Sequence, residues 1–263
     1  METNLEQLTR FARELAEESG ALILKYYHDG LRGAGPKVMT KEDRSPVTAA
    51  DQEAEALMRQ RIEARYPQHG VMGEEAGSSG KMDSEFQWVL DPIDGTKSFV
   101  HGVPLFGTLI ALVHDKEPIL GVIHMVATGE LMIGAQGRQT TVNGRPVQVR
   151  DTRSMEQATV LYTDLPLLQK LGYGLSLENL GQQGSLIRGW GDCYGHFLVA
   201  AGRADIMIDP QLSLWDLAAL KPCVEGAGGR YTDLAGSPEG LGDSAISTNG
   251  HLHDEIIAAL NKE

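Results

Sequence analysis

The chain is poor in cysteine: Cys193 and Cys223 are the only two in 263 residues. They form no Cys-x-x-Cys pattern, so a disulfide scaffold and a zinc knuckle are both excluded and two free thiols are expected. Long apolar runs are missing as well. None approaches the ~18 residues that a membrane span needs. Positive charge is scarce, with 23 Lys and Arg against 36 Asp and Glu for a formal net charge of −13. That balance opposes nucleic acid and acidic membranes as partners, and it also repels small anions from the protein as a whole. The polar start Met1-Glu2-Thr3-Asn4 lacks the pattern of a secretory signal, so the expected location is cytoplasmic. What is present, 41% hydrophobic and 22% charged residues, is ordinary for a globular protein with one large core or two layers sharing one.

The most informative segment is Trp88-Val89-Leu90-Asp91-Pro92-Ile93-Asp94-Gly95-Thr96. An apolar run suited to a buried strand stops at Asp91, and Pro92 restricts φ, which predicts a turn that aims Asp91 and Asp94 at one point. Gly95 can adopt a backbone closed to other residues and lets an anion approach the main chain, while Thr96 adds a hydroxyl. Carboxylates, the Ile93 carbonyl and the absence of a nearby His or Cys make an all-oxygen ligand set, which suits Mg²⁺ or Mn²⁺ rather than zinc. An Asp-Pro turn with a second Asp as a local cap is the plainer alternative for the dipeptide alone.

The whole nonapeptide resembles the signature of the inositol monophosphatase-like family of metal-dependent, lithium-sensitive phosphatases. Three further segments agree in order along the chain. Gly73-Glu74-Glu75 precedes the flexible stretch Gly77-Ser78-Ser79-Gly80, and the resemblance implies Glu74 as a metal ligand; otherwise the pair is solvated surface. Trp215-Asp216-Leu217-Ala218-Ala219 is similar to the second signature and implies Asp216 as a ligand, although an acid at a helix start also suits the dipole. Ser45-Pro46-Val47-Thr48-Ala49-Ala50-Asp51 matches the segment whose Asp lies behind the metals. Thr48-x-x-Asp51 also has the form of a capping box.

Alternating elements are expected along the chain. Leu5, Leu8, Phe11, Leu15, Leu22 and Tyr26 keep helical spacing up to a loop at Gly30 to Pro36, and Ala54, Leu57, Met58 and Ile62 mark a second helix. Strands are predicted at Thr108 to Val113, Ile119 to Val126 and Glu130 to Ala135, with a turn at Val142 to Arg145, making a mostly antiparallel sheet. The second half reads as a strand near Thr159 to Thr163, a helix near Cys193 to Ala201, a strand near Asp205 to Ile208, and a helix from Trp215 that Pro222 should kink or shorten. His251 and His253, the nearest approach to a histidine cluster, read as surface residues before a terminal helix. Asp151 to Glu156 is the expected lobe boundary, dividing 1–150, with most of the ligands, from 151–263, with Asp216. The resemblance implies an α/β (α+β) fold, a layered α/β/α/β/α sandwich with the metals between the halves, and a homodimer.

The resemblance further implies two or three Mg²⁺ ions, with Mn²⁺ as the alternative. One ion falls to Glu74, Asp91 and the Ile93 carbonyl, another to Asp91, Asp94 and Asp216, with Asp91 bridging. Glu74 and Thr96 would orient and deprotonate the attacking water, with Asp51 behind the cluster, and the Gly95 and Thr96 amides would hold phosphate oxygens. Inositol-type members resemble Arg-x-x-Gly-Ser/Thr-Ala where this chain has Arg188-Gly189-Trp190-Gly191-Asp192. Gly191-Asp192-Cys193-Tyr194-Gly195, with Asp94-Gly95-Thr96-Lys97-Ser98-Phe99, looks instead like the histidinol-phosphate phosphatase branch. Asp192 and Asp209 would match a cationic substrate, and Arg188 would serve the substrate or hold those acids. Hydrolysis of inositol monophosphate or of a 3′-phosphonucleotide are the alternatives, the latter because Lys41 to Thr48 resembles that branch. A partner-binding regulator on a phosphatase scaffold is disfavoured, since every implied ligand is present.

Overall fold

The computed structural model describes residues 5–33, 35, 38–40, 46–81, 83–183, 185–238 and 241–261. Lys41 to Ser45, part of the segment compared with nucleotide-cleaving relatives, lie outside the described residues, as do Met1 to Asn4 and Pro36.

Helix α1 (Leu5–Leu31) buries one stripe, from Leu8 and Phe11 through Leu15 to Ile23 and Tyr27. A short antiparallel pair, β1 (Met39–Thr40) and β2 (Pro46–Val47), leads into α2 (Ala49–Arg65), which packs beside α1. Together they cover one face of a large sheet through Leu8, Phe11, Met58, Ile62 and Trp88. Phe11 meets the Trp88 ring edge-on at 5.6 Å, a favoured aromatic arrangement.

That sheet comprises β3 (Gly70–Gly73), β4 (Gly77–Gly80), β5 (Phe86–Asp94), β6 (Gly107–His114), β7 (Glu117–Met125), β8 (Glu130–Ala135), β9 (Thr141–Val142) and β10 (Arg145–Pro146), with α3 (Thr96–Val100) between β5 and β6. Its order is β10-β9-β8-β7-β6-β5-β3-β4, and only the β3–β5 pair is parallel. The three long strands expected around Leu109, Val122 and Ile133 are present. Asn143 and Gly144 turn the chain with φ of 49° and 75°, as an Asn-Gly hairpin requires.

The second half supplies β11 (Thr159–Tyr162), α4 (Leu165–Lys170), α5 (Gly174–Gln182), β12 (Leu186–Arg188), α6 (Asp192–Ala200), β13 (Ile206–Asp209), α7 (Leu214–Leu217), α8 (Leu220–Gly226), β14 (Arg230–Thr232), β15 (Ala245–Thr248) and α9 (His253–Leu260). The five strands form a mixed sheet in the order β12-β11-β13-β15-β14. Helices α6, α7 and α8 fill the space between the two sheets with Cys193, Phe197, Leu217, Leu220 and Val224. The outer face of the smaller sheet packs against Leu168, Leu177, Leu180 and Ile256 from α4, α5 and α9. The architecture is therefore the α/β/α/β/α sandwich.

Two glycines bring the middle layer close to the large sheet. A Cβ on Gly121 would stand 2.1 Å from the Ala219 carbonyl, and one on Gly134 would stand 2.3 Å from that of Pro222. The start of α8 thus lies directly on β7 and β8, which sets the depth of α7 just before it. Pro222 shortens the helix expected from Trp215: α7 stops at Leu217, before the Ala218 carbonyl that a residue at 222 would otherwise bond, and Pro222 occupies the first turn of α8, where its missing N–H needs no partner.

Candidate active site

Strand β5 does not turn at Pro92, as the sequence suggests, but continues to Asp94 with a bulge. Asp91 faces Leu109 and Asp94 faces Gly107, so three steps on β5 match two on β6. The extra residue matters because side chains alternate along a strand, and residues three apart would otherwise point to opposite faces. With the parity reversed, both acids reach the same side. The Thr108 hydroxyl donates to the Pro92 carbonyl at 2.8 Å and satisfies the bulged backbone. Gly95 follows with φ of 80°, and the Thr96 hydroxyl donates back to the Ile93 carbonyl at 2.9 Å.

Asp216 joins Asp91 and Asp94 from α7, and one carboxylate oxygen of each lies within 4.8 Å of the others. Ser213 and Asp216 form a capping box, with the Ser213 amide donating to Asp216 Oδ2 at 2.7 Å. Thr48 and Asp51 repeat the device at the start of α2, where the Thr48 amide and hydroxyl donate to Asp51 Oδ2 at 2.8 and 2.7 Å. Capping and a place near the acidic group are thus compatible for both residues. Glu74 borders the group, because β3 runs parallel to β5 and the Glu74 amide donates to the Leu90 carbonyl at 3.1 Å.

Crowding these acids away from water raises their proton affinity. Burial, then the charges of Glu74, Asp94 and Asp216, push Asp91 well above the usual carboxylate range. Burial, then Asp192 and Asp216, do the same to Asp94, although the Cys193 amide donates to it. Asp216 is pushed up to about 7, chiefly by burial, against the opposing Ser213 amide bond. Burial also raises Asp51, with Glu74 contributing. Asp91 Oδ1 and Asp51 Oδ1 are buried without any hydrogen-bond partner. Buried unpartnered carboxylate oxygens beside other carboxylates are costly unless protons or cations satisfy them, so the donor set fits a hard divalent cation.

A cleft of about 580 Å³ opens from this group toward the smaller sheet. Asp94, Gly95, Thr96 and Lys97 line one side, and Asp164, Asp192 and Asp209 line the other. Asp192 opens α6 with φ of 54°, a left-handed backbone that costs a non-glycine residue roughly 1–3 kcal/mol. Its amide donates to the Thr163 hydroxyl at 3.0 Å, and its Oδ2 would lie 3.1 Å from a Cβ on Gly95, so the carboxylate stands directly beside that glycine. Burial, then Asp209, push Asp192 up to about 7, against Lys97. Asp209 ends β13 with Oδ2 3.7 Å from His196 Nε2, and His196 Nδ1 lies 2.6 Å from the Ser247 hydroxyl.

The structure brings Asp91, Ile93, Asp94, Gly95, Thr96 and Asp216 together, with Glu74 and Asp51 at the border and Asp192 and Asp209 across the cleft. Arg188 stands apart. It is exposed at the end of β12, bonded to the Ile187 carbonyl at 2.7 Å, and does not line the cleft. Lys97 and Asp164 do line it and were not expected to, although Lys97 directly follows the nonapeptide and lies in the Asp94 to Phe99 segment. Asp164 offers only the signal of a helix cap, its Oδ1 accepting from the Leu167 amide at 3.0 Å. His253 corrects the surface reading: it is fully buried between the Thr232 and Thr248 hydroxyls, and burial pushes it down to about 4. His251 is exposed, 2.9 Å from Asp151. Cys193 and Cys223 are free thiols, both buried.

A model of the inositol monophosphatase family matches residues 4–263. The histidinol-phosphatase of Chlorobaculum parvum is 42% identical over 95% of each chain. That of Mycobacterium tuberculosis is 40% identical over 86% of this chain and 88% of its own. Among solved structures, an inositol monophosphatase from Zymomonas mobilis superposes with a TM-score of 0.83 at 32% identity, covering 99% of this chain and all of its own.

Proposed function

The chain belongs to the inositol monophosphatase family and is a phosphomonoesterase, and from that premise we propose that its substrate is histidinol phosphate, cleaved by water to histidinol and phosphate in histidine biosynthesis. The observation that carries the choice is the second wall of the cleft. Asp192 beside Gly95, with Asp209 and Asp164, presents carboxylates where a polyol would need only hydrogen bonds. Histidinol phosphate has an ammonium and a titratable imidazole to match them. The relatives named histidinol-phosphatase support the same choice.

Glu74, Asp91, the Ile93 carbonyl, Asp94 and Asp216 would hold two or three Mg²⁺ ions, with Asp91 shared. Bound there, the ions supply a water of lowered pKa and neutralise charge on the phosphoryl and leaving oxygens. The chain's own groups do the rest. By donating to the Ile93 carbonyl, the Thr96 hydroxyl leaves its lone pairs to accept a hydrogen bond from one O–H of the attacking water, and Glu74 would take the water's other proton. The left-handed Gly95 carries no side chain to obstruct a phosphate, so its amide and that of Thr96 can donate to phosphoryl oxygens. Asp51 supports Glu74 from behind. Residues 1–150, with most of the ligands, and 151–263, with Asp216 and the substrate-facing acids, would act as two lobes with the metals between them, in a cytoplasmic homodimer.

Phosphate release from histidinol phosphate, inositol 1-phosphate, adenosine 3′,5′-bisphosphate and glycerol 2-phosphate, with Mg²⁺ added, tests the proposal. Histidinol phosphate should have the highest kcat/KM by a large factor. Faster turnover of inositol 1-phosphate would overturn the substrate assignment and leave the phosphatase chemistry standing.

A further inference from the structure

Helix α2 carries a buried ion pair whose purpose lies off the helix. Glu55 and Arg59 are 1% and 8% exposed, and Arg59 Nε meets Glu55 Oε1 at 2.8 Å. Such a pair contributes little net stability, because desolvation offsets the attraction. Its other contacts all go to one hairpin. Glu55 Oε2 accepts from the Glu75 amide at 2.8 Å, and Oε1 accepts from the Ala76 amide at 3.0 Å. Arg59 donates from Nη1 to the Ser79 hydroxyl at 2.7 Å and from Nη2 to the Gly77 carbonyl. On the other flank, a Cβ on Gly73 would come within 2.5 Å of the Glu55 carboxylate, so that peptide lies directly against it.

Glu75, Ala76, Gly77 and Ser79, all after Glu74, are therefore bonded to these two side chains, and Gly73 just before it packs against Glu55. We propose that Glu55 and Arg59 are positioning residues for the metal site, holding the β3–β4 hairpin so that Glu74 is presented to a divalent cation. The proposal rests on the reading of Glu74 as a metal ligand. The pair touches no reacting atom. Its effect passes through the backbone of residues 73–79, in the way that groups supporting a ligand govern metal affinity.

Mn²⁺ alone, titrated into the full-length protein and followed by the electron paramagnetic resonance of the free ion and by calorimetry, gives a readout separate from activity. Glu55→Gln keeps an acceptor but loses the charge that serves Arg59 and two amides at once. It should weaken Mn²⁺ binding by roughly 10- to 100-fold. Arg59→Lys and Ser79→Ala, milder changes to the same hairpin, should weaken it several-fold and carry the test if Glu55→Gln does not fold. Arg61→Ala, elsewhere on α2, breaks an exposed 2.8 Å pair with Glu18 of α1 and should bind as the wild type does. Adding Glu55→Gln to Glu74→Gln should cost no more than about twofold beyond Glu74→Gln alone, because both act through one carboxylate. A lower Tm with wild-type Mn²⁺ affinity in Glu55→Gln, or losses that multiply in the double variant, would overturn the proposal. Wild-type affinity in Glu74→Gln would overturn the ligand reading as well, so the two failures are distinguishable.

Discussion

The two walls of the cleft are both acidic, but they hold their acids in different ways. On the wall built by β5 and α7, burial and then neighbouring carboxylates raise the proton affinity of Asp91 and Asp94, burial raises that of Asp216, and Asp91 keeps a buried oxygen without a partner. On the wall built by α4, α6 and β13, the acids have local supports. Asp164 caps a helix, Lys97 offsets Asp192, and His196 backs Asp209. The first wall is unstable as a set of anions and calls for cations. On the second, burial and then Asp209 push Asp192 up to about 7, against Lys97, so a cationic substrate bound there would favour its ionised form. The contrast teaches that the number of carboxylates matters less than their spacing and their supports.

Breaking the first wall should have the largest effect. Asp91→Asn would remove the ligand proposed to be shared and should cut kcat/KM by at least about 10³-fold on every ester. Its Tm without metal should equal or exceed that of the wild type, because a repelling charge has gone; a marked fall in Tm would mean the loss comes from unfolding. Removal of metal by chelation should have a comparable effect, and full activity after chelation would sink the metal mechanism.

Thr96→Ala comes next. If the hydroxyl orients the attacking water, kcat should fall by about 10²-fold or more with KM little changed. A change confined to KM would make Thr96 a contact for bound phosphate.

Breaking the second wall should be milder and selective. Asp192→Asn should lower kcat/KM for histidinol phosphate by roughly ten- to a hundredfold, as expected for a charge-assisted bond worth about 1.5–3 kcal/mol, with little effect on glycerol 2-phosphate. Equal losses on both esters would assign Asp192 to the metal wall.

The smallest effect sharpens the comparison through pH. Asp216 has its carboxyl raised from 3.8 to about 7 in the folded chain, so the folded state holds the proton more tightly than the unfolded one. Its contribution to stability without metal is complete below 3.8 and is lost as pH rises through about 7. Cations act in the opposite sense, since they bind the ionised acids. Added Mg²⁺ should therefore raise Tm by a few degrees more at pH 8 than at pH 6. A larger Mg²⁺ effect at pH 6 would contradict it.

Much of this site was legible in the sequence, for reasons that differ among residues. Asp91, Asp94, Gly95 and Thr96 lie within one six-residue stretch, so a local pattern carries them. Glu74 and Asp216 became legible only through resemblance to a family, because a Glu pair beside glycines and an acid at a helix start have commoner explanations. Asp164 carried no functional signal, and His253 misled, since burial between two threonines from separate strands leaves no mark on the residues beside it.

By itself the sequence determined the elements and the donor chemistry. The spacing of Leu8, Phe11 and Leu15, the Asn143-Gly144 turn and the Thr48 and Ser213 caps are local, so short-range sterics and hydrogen bonds specify them. The oxygen-only character of the candidate donors is also a matter of composition. Tertiary structure alone decided where those groups meet. Pairing with β6 creates the bulge that reverses parity between Asp91 and Asp94, and close packing of α8 on Gly121 and Gly134 sets the depth at which Asp216 arrives. Once they converge, burial and mutual charge raise their proton affinity. Those effects depend on distances through space between residues far apart in the chain, which no local pattern encodes.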